Sequence, residues 1–179
     1  MQKSYQTIFD FITGQEIPDI GAEANRQAVE QMLVYKKGYA KQDIQVDVEI
    51  SFTIGEELYS SQLDLVVSVD ERRFMAIKCA AGSLGSRERE IIAASRILED
   101  YQIPVSVVSD GKTAIVMDTV SGKKIGLGLN AIPTKDEAKK RLDINPFQSL
   151  PKKRRCKEKL IFRSYDIMNV NVKRNIPKG

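Results

Sequence analysis

One aspartate and one lysine stand inside two strand-like segments of strongly apolar sequence. Asp64 lies in the segment 61–69, and Lys78 lies in the segment 74–79. Both segments are rich in Val, Leu and Ile, and the short polar turn 70–72 between them predicts a β-hairpin. Charged side chains are rarely buried unless they are paired or bind a metal ion. This pair is therefore the first candidate for chemistry in the chain.

Hydrolysis of a phosphodiester bond is a reaction that such a pair could support. That reaction needs oxygen ligands that converge on Mg²⁺ or Mn²⁺, and a cation that orients the attacking water and offsets negative charge. Asp64 could supply one ligand, the main-chain carbonyl of Ile77 another, and Lys78 the cation. The alternative is an ion pair between neighbouring strands, and the two residues alone do not decide between these interpretations.

Composition excludes several other kinds of site. The 179 residues include no histidine, which excludes Ser-His and Cys-His nucleophiles and histidine zinc sites. Cys79 and Cys156 are too far apart in sequence for a metal-ligand motif, which favours free thiols in a reducing compartment. No apolar run reaches the roughly 18 residues of a membrane span, and residues 1–5 lack an apolar signal-peptide segment. We therefore expect a cytoplasmic protein that has no membrane partner.

Charge is distributed unevenly along the chain. Residues 1–134 carry 14 Lys and Arg and 19 Asp and Glu, a net charge of −5, whereas residues 135–179 carry 14 and 5, a net charge of +9. The densest basic cluster is Lys152-Lys153-Arg154-Arg155, and such clusters bind phosphate backbones without reading their sequence. We expect a polyanionic partner, with DNA the first choice. A solubilising extension is the alternative.

The rest of the sequence indicates the elements that must position these residues. The predicted elements are a short helix or clasp over 5–12, helices over 22–37, 86–99 and 135–142, strands over 44–52, 58–69, 73–80, 104–109 and 114–117, and a hairpin closed through 121–123. Connections of hairpin length make the first three strands antiparallel, and a helical crossover makes the third and fourth parallel. The sequence therefore predicts an α/β fold with a mixed central sheet flanked by helices, with a domain over 1–145 and a basic C-terminal extension over 146–179.

The order of these elements resembles the PD-(D/E)xK nuclease superfamily. It is similar in particular to the N-terminal domain of type I restriction enzyme R subunits and their small stand-alone relatives. The resemblance rests on Asp64 in the second strand, Ile77 and Lys78 in the third, and the stretch 73–90, and it covers about residues 20–135. It implies an αβββαβ restriction-endonuclease-like core in which two acids and a lysine bind Mg²⁺ and activate water. A DNA endonuclease of a restriction-modification system is then expected, with partner subunits of that system and a homodimer as further expectations.

One acid of the implied motif is missing. The first acid corresponds to Asp64 and the lysine to Lys78, but the position of the second acid holds Ala76, whose methyl group cannot bind a metal. Three explanations stay open: the acid has moved elsewhere, the site binds DNA without cutting it, or the alanine is an engineered change. Glu23 and Glu30 of the first helix are candidate replacements because they are two turns apart and share a face. We expect one of them to complete catalysis, with Glu30 as the metal ligand.

The second predicted helix offers further candidates. Glu88 or Glu90 could also reach back to the sheet, although pairing with the helix dipole is the simpler expectation for both. The helix start and the loop 82–86 before it could hold a phosphate. Plain capping, with Ser86 as the N-cap residue, is the alternative. The residues expected to contact nucleic acid are Arg87, Arg89, Arg96, Ser83, Ser86, Lys152, Lys153, Arg154 and Arg155.

The sequence thus predicts a metal-dependent nuclease acting on DNA, with activity impaired unless another acid replaces the one missing at Ala76. The alternatives are a catalytically inactive relative that binds nucleic acid and a protein-interaction module that retains only the fold. Metal-dependent cleavage separates the first from the second, and salt-sensitive DNA binding separates the second from the third.

Overall fold

A computed structural model of the chain describes residues 6–168. The N-terminal residues 1–5, and residues 169–179 of the predicted basic extension, lie outside the described residues. No helix within 6–168 is long and apolar enough to cross a membrane. The elements in chain order are β1 (Thr7–Phe9), β2 (Glu16–Pro18), α1 (Glu23–Lys37), β3 (Ile44–Ile54), β4 (Glu57–Val69), β5 (Arg72–Cys79), α2 (Glu88–Ile97), β6 (Val105–Ser109), β7 (Ala114–Asp118), β8 (Lys124–Leu127), α3 (Lys135–Ile144) and α4 (Lys152–Met168).

Six of the strands form one mixed sheet in the order β3-β4-β5-β6-β7-β8. Neighbouring strands are antiparallel except β5 and β6, which run parallel and are joined by the crossover through α2. The predicted mixed α/β fold is confirmed, as are the predicted directions of the first four strands of the sheet. Strand β8, which follows the hairpin at 121–123, adds an edge strand to this arrangement.

Alternate residues of the central strands pack into two apolar layers. On β5, Ile77 lies in the layer that contains Leu33 of α1, whereas Ala76 lies in the layer that contains Ile91 of α2 and Phe162 of α4. Helix α1 therefore covers one face of the sheet, and α2 with α4 covers the other. The two faces must be considered separately when the charged side chains are placed.

The alternation of side chains changes at Asp64. Leu63 packs in the layer beneath α2, whereas Leu65, two residues later, packs in the layer beneath α1. A regular strand would place both on one face. The opposing position on β3 is Asp47, whose φ of 52° is uncommon for a residue other than glycine. On the other side of β4, the N–H of Cys79 in β5 donates to Asp64 Oδ2 at 2.7 Å, which fixes the Asp64 side chain against β5.

Two local expectations are wrong. The segment 5–12, expected as a short helix or clasp, contains no helix among its described residues, and Thr7–Phe9 form the strand β1, paired with β2. Asp10 accepts the N–H of Thr13 at 2.7 Å and Gly14 takes a positive φ of 71°, and these features turn the chain into a hairpin. Ser86 does not cap α2, because it lies in a 3₁₀ turn before that helix and its hydroxyl donates to the carbonyl of Ser83 at 2.9 Å.

The segment after residue 145 contains a helix that the sequence analysis did not predict. Helix α4 packs along α2, and the ring of Phe162 lies 6.1 Å from that of Phe52 and 6.4 Å from that of Tyr59. Arg155 donates to the carbonyl of Glu99 at 2.6 Å, just beyond the end of α2. Acceptors at a helix end lack partners within the helix, so this contact fastens α4 to α2.

Replacing Phe162 with alanine should lower the free energy of unfolding by about 3–5 kcal/mol, because a buried aromatic side chain is lost from the contact between α4 and the sheet. Urea denaturation followed by circular dichroism measures this change. Leu160→Ala is the matched control, since Leu160 is on the same helix but 50% exposed, and it should change stability by about 0.5 kcal/mol or less. Equal and small effects of the two changes would contradict the docking of α4.

Candidate functional site

Lys78 lies near the end of β5, and carboxylates from two other elements face its ammonium group. Its Nζ is 3.7 Å from Asp64 Oδ2 on β4 and 3.6 Å from Glu90 Oε1 on α2. The exposed fraction of the side chain is 22% for Asp64, 11% for Lys78 and 2% for Glu90. The structure thus brings Asp64 and Lys78 together and adds Glu90 to them.

The surroundings of Lys78 keep it positively charged. Burial, the largest influence, lowers the pKa of Lys78, but the carboxylates of Asp64, Glu90 and Asp166 raise it, and the net result lies above the ordinary value of 10.5. Arg87 acts in the opposite direction, and its Nη1 lies 3.6 Å from Glu90 Oε2. Lys78 therefore acts in this site as a fixed cation and not as a proton acceptor.

A third acid close enough to influence Lys78 comes from α4. Asp166 is buried and accepts a hydrogen bond from the hydroxyl of Tyr59 on β4. Burial, followed by this hydrogen bond, raises the pKa of Tyr59, so the phenol remains a donor at neutral pH. The contact ties α4 to β4 beside the lysine.

Ala76 lies two residues before Lys78, on the same face of β5. It is fully buried in the apolar layer beneath α2, so the second carboxylate near the lysine comes from α2, through Glu90. Ile77, whose carbonyl was expected to bind a metal ion, pairs in register with both β4 and β6. The hydrogen bonds of the sheet therefore compete for that carbonyl.

The donor set limits the metal ions that the site could hold. Within residues 6–168, no group of three or more acidic, cysteine or histidine side chains is arranged to hold a metal ion. Asp64 and Glu90 supply two carboxylates, and proteins commonly hold Mg²⁺ through one or two carboxylates together with water and substrate phosphates. These residues fit Mg²⁺ in the presence of a phosphate substrate, and they do not fit a closed zinc or calcium site.

The larger part of the chain matches a known protein family. Residues 21–133, from just before α1 to just after β8, match the family model described as the type I restriction enzyme R protein N terminus. The chain belongs to this family. Membership of the R-protein N-terminal family links the chain to restriction systems, and the matched stretch includes Asp64, Lys78 and Glu90, whereas α4 lies outside it. No curated protein and no solved structure matches the chain.

The two acids of α1 that were expected at the site belong to a charged cluster beneath α1, which lies close enough to the site for charges of both groups to act on Cys79. Its centre is the buried side chain of Arg26, whose Nη2 lies 2.5 Å from Glu23 Oε1 and 2.9 Å from Asp10 Oδ2. Arg26 Nη1 lies 3.5 Å from Asp47 Oδ1, and Nε lies 3.7 Å from Glu30 Oε1. The structure therefore places both acids around Arg26, on the face of the sheet that α1 covers.

Glu30 is the most deeply buried acid of this cluster. It is fully buried, and its closest charged partner is Arg26, whose Nε lies 3.7 Å from Oε1. Burial, the largest influence, and the nearby acids Asp10 and Glu23 raise the pKa of Glu30 to about 8, while Arg26 acts against them. Glu30 is therefore mainly protonated at pH 7, and metal ligands must be deprotonated.

Several of the basic residues expected to contact phosphate have protein partners. Arg89 and Arg96 donate to Glu158 of α4 at 2.7 and 2.8 Å, and Arg96 also donates to the carbonyl of Thr119 at 2.9 Å. Arg87 faces Glu90, and Arg155 fastens α4 to α2, as described above. The expected contact residues that are exposed to solvent are Ser83, Ser86, Lys152, Lys153 and Arg154.

The sequence reasoning missed two acids of α4, Glu158 and Asp166. It ranked Glu90 of α2 behind the acids of α1 as the replacement for the missing acid. Glu158 and Asp166 are the only acids in α4, and they stand four residues before and after Phe162. That spacing puts all three on one face of a helix, and it is a signal that could have identified the buried side of α4. For Glu90 the local sequence carries no such signal, because its contact with Lys78 depends on how α2 docks on the sheet.

Glu30→Gln should flatten the dependence of stability on pH. Below about pH 4.5 Glu30 is protonated in both the folded and the unfolded chain, and it does not destabilise the fold. Between pH 4.5 and about 8 only the unfolded chain ionises freely, so stability falls by up to about 1.4 kcal/mol per pH unit. Glutamine has nearly the shape of glutamate but does not ionise. The variant should therefore gain stability relative to the parent as the pH rises towards 8.

Denaturation curves measured at pH 5, 6, 7 and 8 would test this expectation. Glu49→Gln is the control, because Glu49 is exposed on β3, and its curves should run parallel to those of the parent. A Glu30→Gln profile that stays parallel to the parent would show that Glu30 does not carry the extra proton.

Proposed function

We propose that this domain hydrolyses phosphodiester bonds in DNA, as a metal-dependent nuclease of the PD-(D/E)xK type that acts within a type I restriction system. The observation that carries the proposal is the position of Lys78 Nζ, 3.7 Å from Asp64 and 3.6 Å from Glu90. Two carboxylates and a lysine from adjacent elements form the set that such chemistry uses. Glu90 takes the role that the superfamily motif gives to position 76.

The side chains have distinct roles in this proposal. Asp64 and Glu90 would hold Mg²⁺ or Mn²⁺, which when bound polarises the phosphate and lowers the pKa of a bound water molecule. The N–H of Cys79 orients the Asp64 carboxylate. Lys78, kept protonated by its acidic neighbours, offsets the negative charge that builds up on the phosphate and orients the attacking water. Asp64 is the most exposed of the three, so the substrate would reach the site from its side.

Mutation of the three residues tests the catalytic proposal. Asp64→Asn, Lys78→Met and Glu90→Gln should each reduce metal-dependent nicking of supercoiled plasmid by about 100-fold or more, with folding checked by circular dichroism. Glu88→Gln is the matched control, because Glu88 is in the same helix but pairs with Lys124 at the surface, at 2.9 Å. It should cleave at the rate of the parent.

A second variant tests whether an acid on β5 can replace the acid on α2. Ala76→Glu in the Glu90→Ala background should restore part of the lost cleavage, because position 76 shares a face of β5 with Lys78. If the parent cleaves neither plasmid nor single-stranded DNA with Mg²⁺ or Mn²⁺, the catalytic proposal fails, and the inactive nucleic-acid-binding relative becomes the better account.

The exposed basic residues at the start of α4 support DNA as the polyanion. Lys152→Ser combined with Lys153→Ser should weaken binding to a random duplex and reduce the slope of log affinity against log salt by up to about 2, at roughly 0.9 per lost phosphate contact. Fluorescence anisotropy over a range of salt concentrations measures this slope. The control is Lys36→Ser combined with Lys112→Ser, which removes two exposed lysines elsewhere. Equal slopes for the two double variants would show that α4 is not the contact surface.

A further inference from the structure

A cavity lies at the opposite end of β5 from Lys78. Its volume is about 200 Å³, and its lining includes Phe74, Pro104, Phe147 and Arg141. Phe74 and Lys78 are four residues apart in an extended strand, so the cavity is roughly 13 Å from the lysine along β5. None of the acids that surround Lys78 lines it, which makes it a separate site.

One buried acceptor in the lining of this cavity lacks a partner. Gln102 is 5% exposed, and its Oε1 is buried without a hydrogen-bond partner among residues 6–168. The residue is held in place because its N–H donates to the carbonyl of Gln148 at 2.8 Å and its Nε2 donates to that of Ser149 at 3.4 Å. An unpaired buried acceptor costs free energy, so a ligand that donates an N–H would be stabilised here.

Two charged side chains, Asp118 and Arg141, also line the cavity, together with the polar residues Asn145 and Gln148. Asp118 accepts the N–H and the hydroxyl of Ser121 through Oδ2, at 2.8 and 2.6 Å, and its Oδ1 has no partner in the described part of the chain. Arg141 forms no ion pair or side-chain hydrogen bond with any described residue. One acid and one base leave no net charge, which favours a neutral ligand that both donates and accepts hydrogen bonds.

We propose that this cavity binds a guanine base. Phe74 and Phe147 make part of the lining aromatic, which suits a flat ligand with an apolar face. The volume suits one bicyclic ring rather than the roughly 300–1,000 Å³ of a drug-sized pocket. Guanine carries adjacent donors, N1–H and the N2 amino group, for Asp118 and Gln102. Its acceptors O6 and N7 match Arg141, a pairing that arginine also makes with guanine in DNA grooves. Adenine has one amino donor and no O6.

Titration of ¹⁵N-labelled protein with guanosine 5′-monophosphate and adenosine 5′-monophosphate tests the proposal by NMR. The Gln102 side-chain amide reports on the cavity directly. The two nucleotides share ribose and phosphate, so we expect the guanine nucleotide to bind about tenfold or more tightly, because an analogue that cannot satisfy buried polar groups is rejected. Arg141→Met should weaken that binding by about tenfold. Lys139→Met, in the same helix and outside the cavity, should not.

Absence of a Gln102 shift at millimolar guanine nucleotide, equal affinity for the two nucleotides, or an Arg141→Met variant that binds like the parent would each overturn the proposal. Asp64→Asn should bind the nucleotide normally, so a failure of the nuclease proposal leaves this result intact. Competition with a duplex that has one unpaired guanine, compared with one that has an unpaired adenine, identifies the source. If only the duplex with the unpaired guanine displaces the nucleotide, the natural ligand of the cavity is an unpaired base in DNA. If neither duplex displaces it, the natural ligand is a free nucleotide.

Discussion

Lys78 places a permanent positive charge inside an apolar sheet, and the packing of one whole face depends on how that charge is neutralised. An unpaired ion in a protein interior costs several kcal/mol, so carboxylates must be brought to it. Strand β4 contributes Asp64, helix α2 contributes Glu90, and helix α4 contributes Asp166. Neither helix can leave the sheet without removing a partner from the lysine. The candidate site and the stability of this face therefore rest on the same electrostatic constraint.

An acid on α2 differs physically from an acid at position 76. A side chain at position 76 projects from the strand into the apolar layer beneath α2. The small side chain of Ala76 lies in this layer together with Ile91. Glu90 lies in the first turn of α2, where the helix dipole favours a carboxylate. The lysine thus keeps two close acids, but one of them now depends on the docking of α2, which Arg155 and Glu158 of α4 secure.

Local patterns predicted most of the fold because its strands are rich in β-branched and other apolar residues and its connections have distinctive lengths. Helix α4 escaped prediction because its buried side consists largely of Glu158, Phe162 and Asp166, and charged residues become a buried face only when partners exist elsewhere. Those partners, Arg89 and Arg96, are distant in sequence. The pair Asp64 and Lys78 was visible as charge within apolar strands. For Glu90 the sequence favours pairing with the helix dipole over a reach back to the sheet, because the contact with Lys78 is tertiary and leaves no local signal.

The clusters around Arg26 and Lys78 each surround one buried cation, but they are neutralised differently. Around Arg26 stand four acids, and the excess negative charge is reduced by the proton that Glu30 retains, since burial and neighbouring acids raise the pKa of Glu30 to about 8. The proton on Glu30 lowers the negative charge of that cluster, whose one partly exposed acid is Asp47, with a side chain that is 32% exposed. Around Lys78 the acids are not all enclosed, because Asp64 keeps an exposed edge. Each cluster keeps one partly exposed acid, Asp47 beside Arg26 and Asp64 beside Lys78. The proposed chemistry is assigned to the Lys78 cluster because Glu30, the most deeply buried acid beside Arg26, retains its proton, and metal ligands must be deprotonated.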